Sequence, residues 1–378
     1  MLRIRQKWQN SHFRIQLIYL IFKTFSKRSL EVRGLDSKLG AIMTANATSL
    51  EELSGRKIAV DAFNTLYQFL STIHQPDGTP LMDSQKRVTS HLSGLFYRNA
   101  HLLEKGIKPV YVFDGESPKL KATEIERRRG VSEEEHKKWE KALEEGRIED
   151  ARSAAQTSSR LTEEIVIESK ELLTALGIPA IQAPSEGVAL AAQMARERIV
   201  WASASQDSDS LLYNCPRMVR NLSISGRRRV SRSKTFKTIH PEIIELDLNL
   251  RLLEVTREQL VDIAILIGTD YNDKIPGIGP KTALKLIRVH GTIEQVQTEK
   301  GIDIQFPYQE VRDIFLNPPP AEVDPPIWSD PDIDELHRIL CVNHDFSRER
   351  VDRTMEKLKD VTQKTRGDSR QSSLSDFF

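Results

Sequence analysis

Apolar and polar positions divide the chain into short apolar runs separated by stretches of helical period. In "GRKIAVDAFNTLYQFLSTI" (55–73), the run Lys57–Val60 has the pattern of a buried strand, and the positions after it follow a helical spacing. "GIKPVYVFDG" (106–115) carries a second strand at Val110–Phe113. "GIPAIQAPSEG" (177–187) reads as a third and "RIVWASASQDSD" (198–209) as a fourth. Helical patterns lie between them, including 90–106 and 163–177. Strands alternating with helices predict an α/β fold with a mostly parallel central sheet and helices on both faces.

The remaining segments depart from that alternation. Residues 116–165 are densely charged with few large apolar residues, which predicts helices standing off the body: a solvated insertion, or in functional terms an arch or lid. The stretch 218–248 predicts a hairpin or pair of strands around Ser225-Gly226. Residues 256–291 read as helix, Gly-rich turn, helix, and 316–332 as a Pro-rich connection. The expected organisation is an N-terminal extension (1–34), a first region with the charged helical insertion (35–160), a second with the helix, Gly-rich turn and helix (161–335), a helical segment (336–364) and a flexible tail (365–378).

Composition narrows the class. A chain of 378 residues with 39% apolar content supports one large domain or two smaller ones. Cys215 and Cys341 are far apart and match no zinc or redox spacing, so a reduced, intracellular protein is expected. The net charge of +1 hides an asymmetry: residues 1–34 hold eight Lys/Arg and one acid, leaving 47 basic and 53 acidic residues in the rest. An anionic partner must therefore be met by local patches. The apolar part of 14–25 is too short for a bilayer, which needs about 20 residues, so no membrane association is expected. The extension is basic and acid-poor in the manner of a transit peptide. The simpler expectation is an upstream addition from a misassigned chain start.

Acids recur where the strands end. Asp61 follows Ile58-Ala59-Val60, Asp114 follows Val110–Phe113, Glu186 comes shortly after Ala180-Ile181, and Asp207 and Asp209 follow the fourth strand. Asp270 comes after the apolar run 263–267 and before the Gly-rich turn. Each alone has the ordinary reading of a helix N-cap or turn former. As a set they would converge on the crevice at the carboxyl ends of the strands. Six carboxylates there need counter-charge, and their sequence neighbours are mostly small or apolar. Divalent cations answer that need, and magnesium suits carboxylates, waters and a phosphate together. Two such ions about 4 Å apart form a phosphodiester-cleaving site.

"KIAVDAFNTLYQFLSTI", "TSHLSGLFYR", "GIKPVYVFDGESPKLK", "APSEG", "SQDSDSLL", "RNL" and "ILIGTDYN…IPGIGPKTALKLI" together resemble the flap endonucleases, structure-specific 5′ nucleases of DNA replication and repair, in their archaeal form. The resemblance runs from about Leu50 to Phe378. It implies that Asp61, Asp114, Glu186, Asp207, Asp209 and Asp270 hold two Mg2+ ions, and that Lys121 and Arg128 of the arch touch the scissile phosphate. It implies that the base next to the cut stacks on Tyr67, for which core packing on a helix face is the plainer alternative. In the turn, Gly277 and Gly279 would let backbone approach a phosphate and bind K+, with Lys281 and Lys285 one helical turn apart on adjacent phosphates. Gln371, Leu374, Phe377 and Phe378 resemble the peptide by which replication proteins bind the sliding clamp; a frayed tail is the alternative. The basic run 226–234 is a solvated loop or a tracker of DNA backbone.

The implied activity is 5′-flap endonuclease and 5′-3′ exonuclease cleavage of flap and nicked duplex DNA. The implied protein is a monomer working beside the genome in the cytoplasm or nucleoid of a prokaryotic cell. Three positions depart from the resemblance: Val188 stands where a second glutamate is usual, His74 where an arginine is common, and Ser208 where the residue tends to be a larger aromatic. Val188 motivates the alternative of a clamp-associated DNA-structure binder with weakened catalysis. A carboxylate phosphohydrolase acting on small nucleotides is a third class, without support from the duplex-gripping turn or the tail.

Overall fold

The central parallel strands β2 (Lys57–Asp61) and β3 (Lys108–Phe113) are apolar through their interiors because helices cover both faces of the sheet. In β2, Ile58 and Val60 point to one face and Ala59 to the other. In β3, Tyr111 and Phe113 oppose Val110 and Val112 in the same way. The structure is a computed structural model that describes residues 38–75, 79–121, 161–224, 226–229 and 236–359, with Gly130, Glu134, Lys138, Lys141 and Glu145.

Among these residues the main sheet has seven strands: β1 (Asn46–Ala47), β2, β3, β4 (Ala180–Gln182), β5 (Ala202–Ala204), β6 (Arg217–Arg220) and β9 (Glu242–Glu245). Its spatial order is β1-β9-β6-β5-β2-β3-β4. The five strands from β6 to β4 run parallel, and β9 and β1 are antiparallel at one edge. From β2 the chain winds outward through β3 to β4, then returns to lay β5 on the other side of β2. The order reverses between β2 and β5, and the crevice outside the carboxyl ends of strands at such a reversal is where open α/β sheets bind ligands.

One face is covered by α1 (Ala62–Thr72), α2 (Ser90–Glu104) and α3 (Glu163–Ala175), whose Leu66, Phe69, Leu92, Phe96 and Leu172 are buried. The other is covered by α4 (Gly187–Arg196) and the one-turn α5 (Asp209–Leu212). Against these pack α7 (Arg257–Ile267), α8 (Pro280–His290), α9 (Ile293–Lys300) and α10 (Tyr308–Leu316), with the short α6 (Leu246–Leu253) leading in. α7 starts on a capping box in which Thr256 and Gln259 each bond the other's backbone amide. α11 (Ile333–Leu336) runs on into a π-helical turn, His337–Val342, and residues 348–359 are helical.

Two expectations change. The apolar lead Ile199-Val200-Trp201 is not strand: β5 spans only Ala202–Ala204, though the Trp201 amide bonds the Lys57 carbonyl at 2.7 Å. The stretch 218–248 holds more than one hairpin. β6 and β9 join the main sheet, while β7 (Gly226–Arg229) and β8 (Phe236–Ile239) form a separate pair. Gly226 lies opposite Ile239 and Arg229 opposite Phe236, so Gly226 opens a strand; Ser225 and 230–235 lie outside the described residues. In the expected arch, Gly130, Glu134, Lys138 and Lys141 are helical; Arg128 lies outside the described residues. No helix among the described residues is long and apolar enough to cross a membrane.

A buried clasp fastens the C-terminal segment to the helical face. Glu168 on α3 receives His91 Nε2 at 2.9 Å and lies 3.4 Å from His344 Nε2. His344 Nδ1 is 3.1 Å from Asp83, which also accepts Arg87 Nε at 2.8 Å. Burial opposes ionisation of Glu168, but the bonds from His344 and His91 outweigh it and hold its carboxyl down at about 2. The Glu168 bond raises His344, while burial lowers His91. The Glu168 contribution is complete above the usual 4.5 and is lost as pH falls towards 2. The His344 contribution is complete below the usual 6.5 and is lost as pH rises through its raised value. The stability difference between the protein and a Glu168→Gln variant, read as Tm against pH, should therefore peak between these limits. A difference flat from pH 4 to 9 would show that the clasp carries no ionic stabilisation.

Candidate active site

Asp61 closes β2 and caps α1. Its Oδ1 accepts the Asn64 amide at 3.0 Å and its Oδ2 the Ser205 hydroxyl at 3.1 Å. Asp114 stands one residue past β3, and its Oδ1 accepts the Gly187 amide at 2.7 Å, at the first turn of α4. That contact requires glycine: a Cβ on residue 187 would lie 2.7 Å from Asp114 Oδ1. Glu186 precedes α4, is 8% exposed, and has a buried Oε1 with no hydrogen-bond partner. Asp207 and Asp209 flank Ser208 after β5, with Asp209 the first residue of α5, and the Asp207 amide donates to Ser205 Oγ at 3.2 Å. The carbonyl end of α5 is held by Arg257 on Leu212 O and by Arg196 on Tyr213 O. Asp270 follows α7, and the next residue, Tyr271, bonds Tyr213 hydroxyl to hydroxyl at 2.8 Å beneath the pocket.

The structure brings all six acids into one electrostatic unit. Burial pushes the Asp61 carboxyl up to about 7, with repulsion from Asp114 and Asp207 adding to it against the bonds from Asn64 and Ser205. Burial likewise raises Asp209 far above the carboxylate range, reinforced by Asp207 and Asp270. Asp114 and Glu186 are raised by burial and by neighbouring acids, against the pull of Lys121. Such a pocket is short of positive charge, and its oxygen donors suit a hard divalent cation. Among the described residues, no three acids, histidines or cysteines close into a formed cation site with the side chains as they stand. Lys121 provides the local cation instead: its Nζ lies 2.6 Å from Glu186 Oε2 and 3.6 Å from Asp270 Oδ2.

The neighbours of the acids in sequence do not reveal that lysine, which comes from a turn (Lys119–Lys121) 65 residues before Glu186. The resemblance names Lys121 as a contact to the scissile phosphate but not its pairing with Glu186 and Asp270, and it does not name Ser205, Asn64 or Gly187 as supports. The one sequence signal for them is their place within two or three residues of an acid.

Tyr67 is 47% exposed on α1, so core packing does not account for it. Past Asp270, Gly277 takes φ +78°, a left-handed conformation that favours glycine. Gly279 has ordinary extended angles with open space where a Cβ would be, so the fold does not demand a glycine there. α8 buries Ala283 and Ile287 and exposes Lys281 and Lys285 on its outer side. Val188, in the first turn of α4, packs half-buried against the core and offers no oxygen to the pocket. Gln371, Leu374, Phe377 and Phe378 lie outside the described residues.

Comparison with known proteins follows the same residues. The XPG N-terminal domain model matches 30–135, a span that includes Asp61, Tyr67, Asp114, Lys121 and Arg128. The XPG I-region model matches 177–270, which includes the other four acids. Flap endonuclease 1 of Ignicoccus hospitalis is 50% identical over 329 residues, 87% of this chain and 94% of that protein. The chain belongs to the flap endonuclease family. Flap endonuclease 1 of Caldivirga maquilingensis is 49% identical over 349 residues, covering 90% of this chain and 99% of the relative. The solved flap endonuclease-1 from Methanococcus jannaschii shares the fold at TM-score 0.67 and 38% identity, covering 86% of this chain and 99% of that one. The flap endonuclease assignment thus extends through the parallel sheet and the helix-turn-helix element that follow the extension.

Proposed function

We propose that the protein is a structure-specific 5′-flap endonuclease with 5′-3′ exonuclease activity that hydrolyses phosphodiesters where single-strand and duplex DNA meet. The observation that carries this reading is the gathering of six carboxylates at the strand-order reversal, next to a turn and helix that present Lys281 and Lys285 to solvent. Asp61, Asp114, Glu186, Asp207, Asp209 and Asp270 would hold two Mg2+ ions. When bound, these ions sharpen an attacking water and stabilise charge on the transferring phosphorus.

The chain's own residues supply the rest. Ser205 and Asn64 fix both oxygens of Asp61, and the Gly187 amide fixes Asp114, so two of the acids are oriented before any ligand arrives. Lys121 neutralises Glu186 and Asp270 in the free protein and is a cation that an incoming phosphate can attract away from them. Arg128 would add a second cation at that phosphate. Tyr67, with half its ring exposed, offers a stacking surface for the base beside the cut; such stacking is worth about 1–3 kcal/mol and tolerates any base. The duplex would lie on the Gly277–Gly279 turn and the N-terminus of α8, where open backbone and Lys281 and Lys285 favour phosphate, with K+ at the turn carbonyls. Gln371, Leu374, Phe377 and Phe378 would dock on the sliding clamp as a short one-turn helix, placing a monomeric enzyme at the replication machinery inside the cell.

The decisive assay uses purified protein, a labelled 5′-flap substrate and magnesium. Cleavage near the junction is expected, and binding without cleavage at any divalent metal would overturn the reading. The weakened-catalysis alternative draws on Val188, whose side chain meets the core. If a missing carboxylate limits turnover, Val188→Glu should raise cleavage several-fold at subsaturating magnesium. An unchanged magnesium dependence would remove ligand loss as a limit.

A further inference from the structure

Beside Glu186, and separate from the exposed face of Tyr67, lies an apolar cavity of about 180 Å3. The rings of Pro118, Pro184, Pro318 and Pro319 form much of its wall, and Glu186 forms its edge towards the acids. The cavity exists because the Pro-rich segment after α10 is strapped to α4. Gln193 donates to the Ala321 carbonyl at 2.7 Å and accepts the Ala321 amide at 3.1 Å, in the manner of a strand pair. Arg257 holds the start of the strap through the Phe315 carbonyl at 2.7 Å. The pocket is therefore already shaped before any ligand enters, and nothing in the hydrolysis chemistry requires it.

We infer that this cavity is a subsite for one unpaired pyrimidine base of the 5′ single strand. This rests on the flap-cleaving reading above. An engineered apolar cavity of about 150 Å3 takes up benzene, so a one-ring base fits the present volume and a two-ring base crowds it. Proline rings give a flat apolar surface on which such a ring gains from leaving water. Its position supplies the rest: Glu186 belongs both to the pocket wall and to the acids proposed to face the scissile phosphate, so a base inside would sit beside the nucleotide being cut. Only a base free of the duplex can turn into a concave site.

The test compares flap substrates that carry thymine, adenine or an abasic residue at each of the first few unpaired positions. Steady-state kinetics are measured on the full chain and on Ala321→Trp, which fills the cavity from the strap. With the unmodified protein, the abasic residue at one position should raise KM about tenfold relative to thymine, and adenine should fall between the two. Ala321→Trp should raise KM on the thymine substrate by the same factor while leaving the abasic substrate unchanged. Ala189→Leu fills the pocket from α4 and should reproduce the effect if the tryptophan variant fails to fold. Indifference to base removal at every position, or an equal KM rise on thymine and abasic substrates, would overturn the inference. Loss of flap cleavage on all substrates by the unmodified protein would instead refute the activity on which it rests.

Discussion

Asp209→Ala should cut flap cleavage by on the order of 10³-fold, about 4 kcal/mol of barrier, while leaving binding to junction DNA within about twofold. Asp209 opens α5 at the strand-order reversal, and burial raises its carboxyl with help from Asp207 and Asp270. Removing it takes one buried carboxyl, and its desolvation cost, from the centre of the acidic unit, so the fold should gain stability as activity falls. The loss expected in rate has the size seen when one preorganised charge stabiliser is deleted from a site. On the proposed function, junction affinity should draw instead on exposed cations such as Lys281 and Lys285, which lie on another element. Single-turnover cleavage and equilibrium binding of the same substrate separate the two effects. Equal losses in both would assign Asp209 a structural role.

The largest loss of stability is expected from Asp262→Ala. Asp262 is 2% exposed on α7; its Oδ1 accepts Arg312 Nε at 2.8 Å and its Oδ2 the Ile293 amide at 3.2 Å. Arg312 on α10 also bonds Glu294 on α9 at 2.8 Å, so one carboxylate fastens three helices. Deleting Asp262 leaves the buried Ile293 amide without its acceptor and Arg312 paired with Glu294 alone, a cost of about 3 kcal/mol, which should appear as a Tm lower by about 5 °C. Asp262→Asn keeps an acceptor for the Ile293 amide and should lose less. A change below about 1 kcal/mol in Asp262→Ala would show that water replaces the carboxylate. Flap cleavage below the melting range should persist, because the pair lies outside the acidic pocket.

The sequence by itself reached the class of fold and the acids. Apolar runs bounded by acids placed β2 and β3 to within two residues, because a strand covered on both faces has to be apolar throughout. The helix-turn-helix was legible for the same kind of reason: the periodicity of 257–267 and 280–290 is local, and Gly277 marks the break. Where pairing between distant segments decided the outcome, local pattern misled. Ile199–Trp201 is as apolar as a strand, yet the register that sets Ile58 opposite Ala202 starts β5 only there. Gly226, expected beside a turn, instead opens β7, because β8 pairs Ile239 with it.

The site divides in the same way. Each acid could be named from its position after an apolar run, since a chain leaving a strand must turn, and acids favour such turns. That Asp61 and Asp207 belong to one pocket depends on β5 returning to the side of β2, a matter of strand order that no stretch of residues encodes locally. Only the tertiary structure set Lys121 against Glu186 and Asp270, put Ser205 on Asp61, and strapped the Pro-rich segment over α4 to leave a cavity beside Glu186. Propensity and periodicity act over a few residues, whereas charge balance and cavity shape arise from groups that meet only when the whole chain has folded.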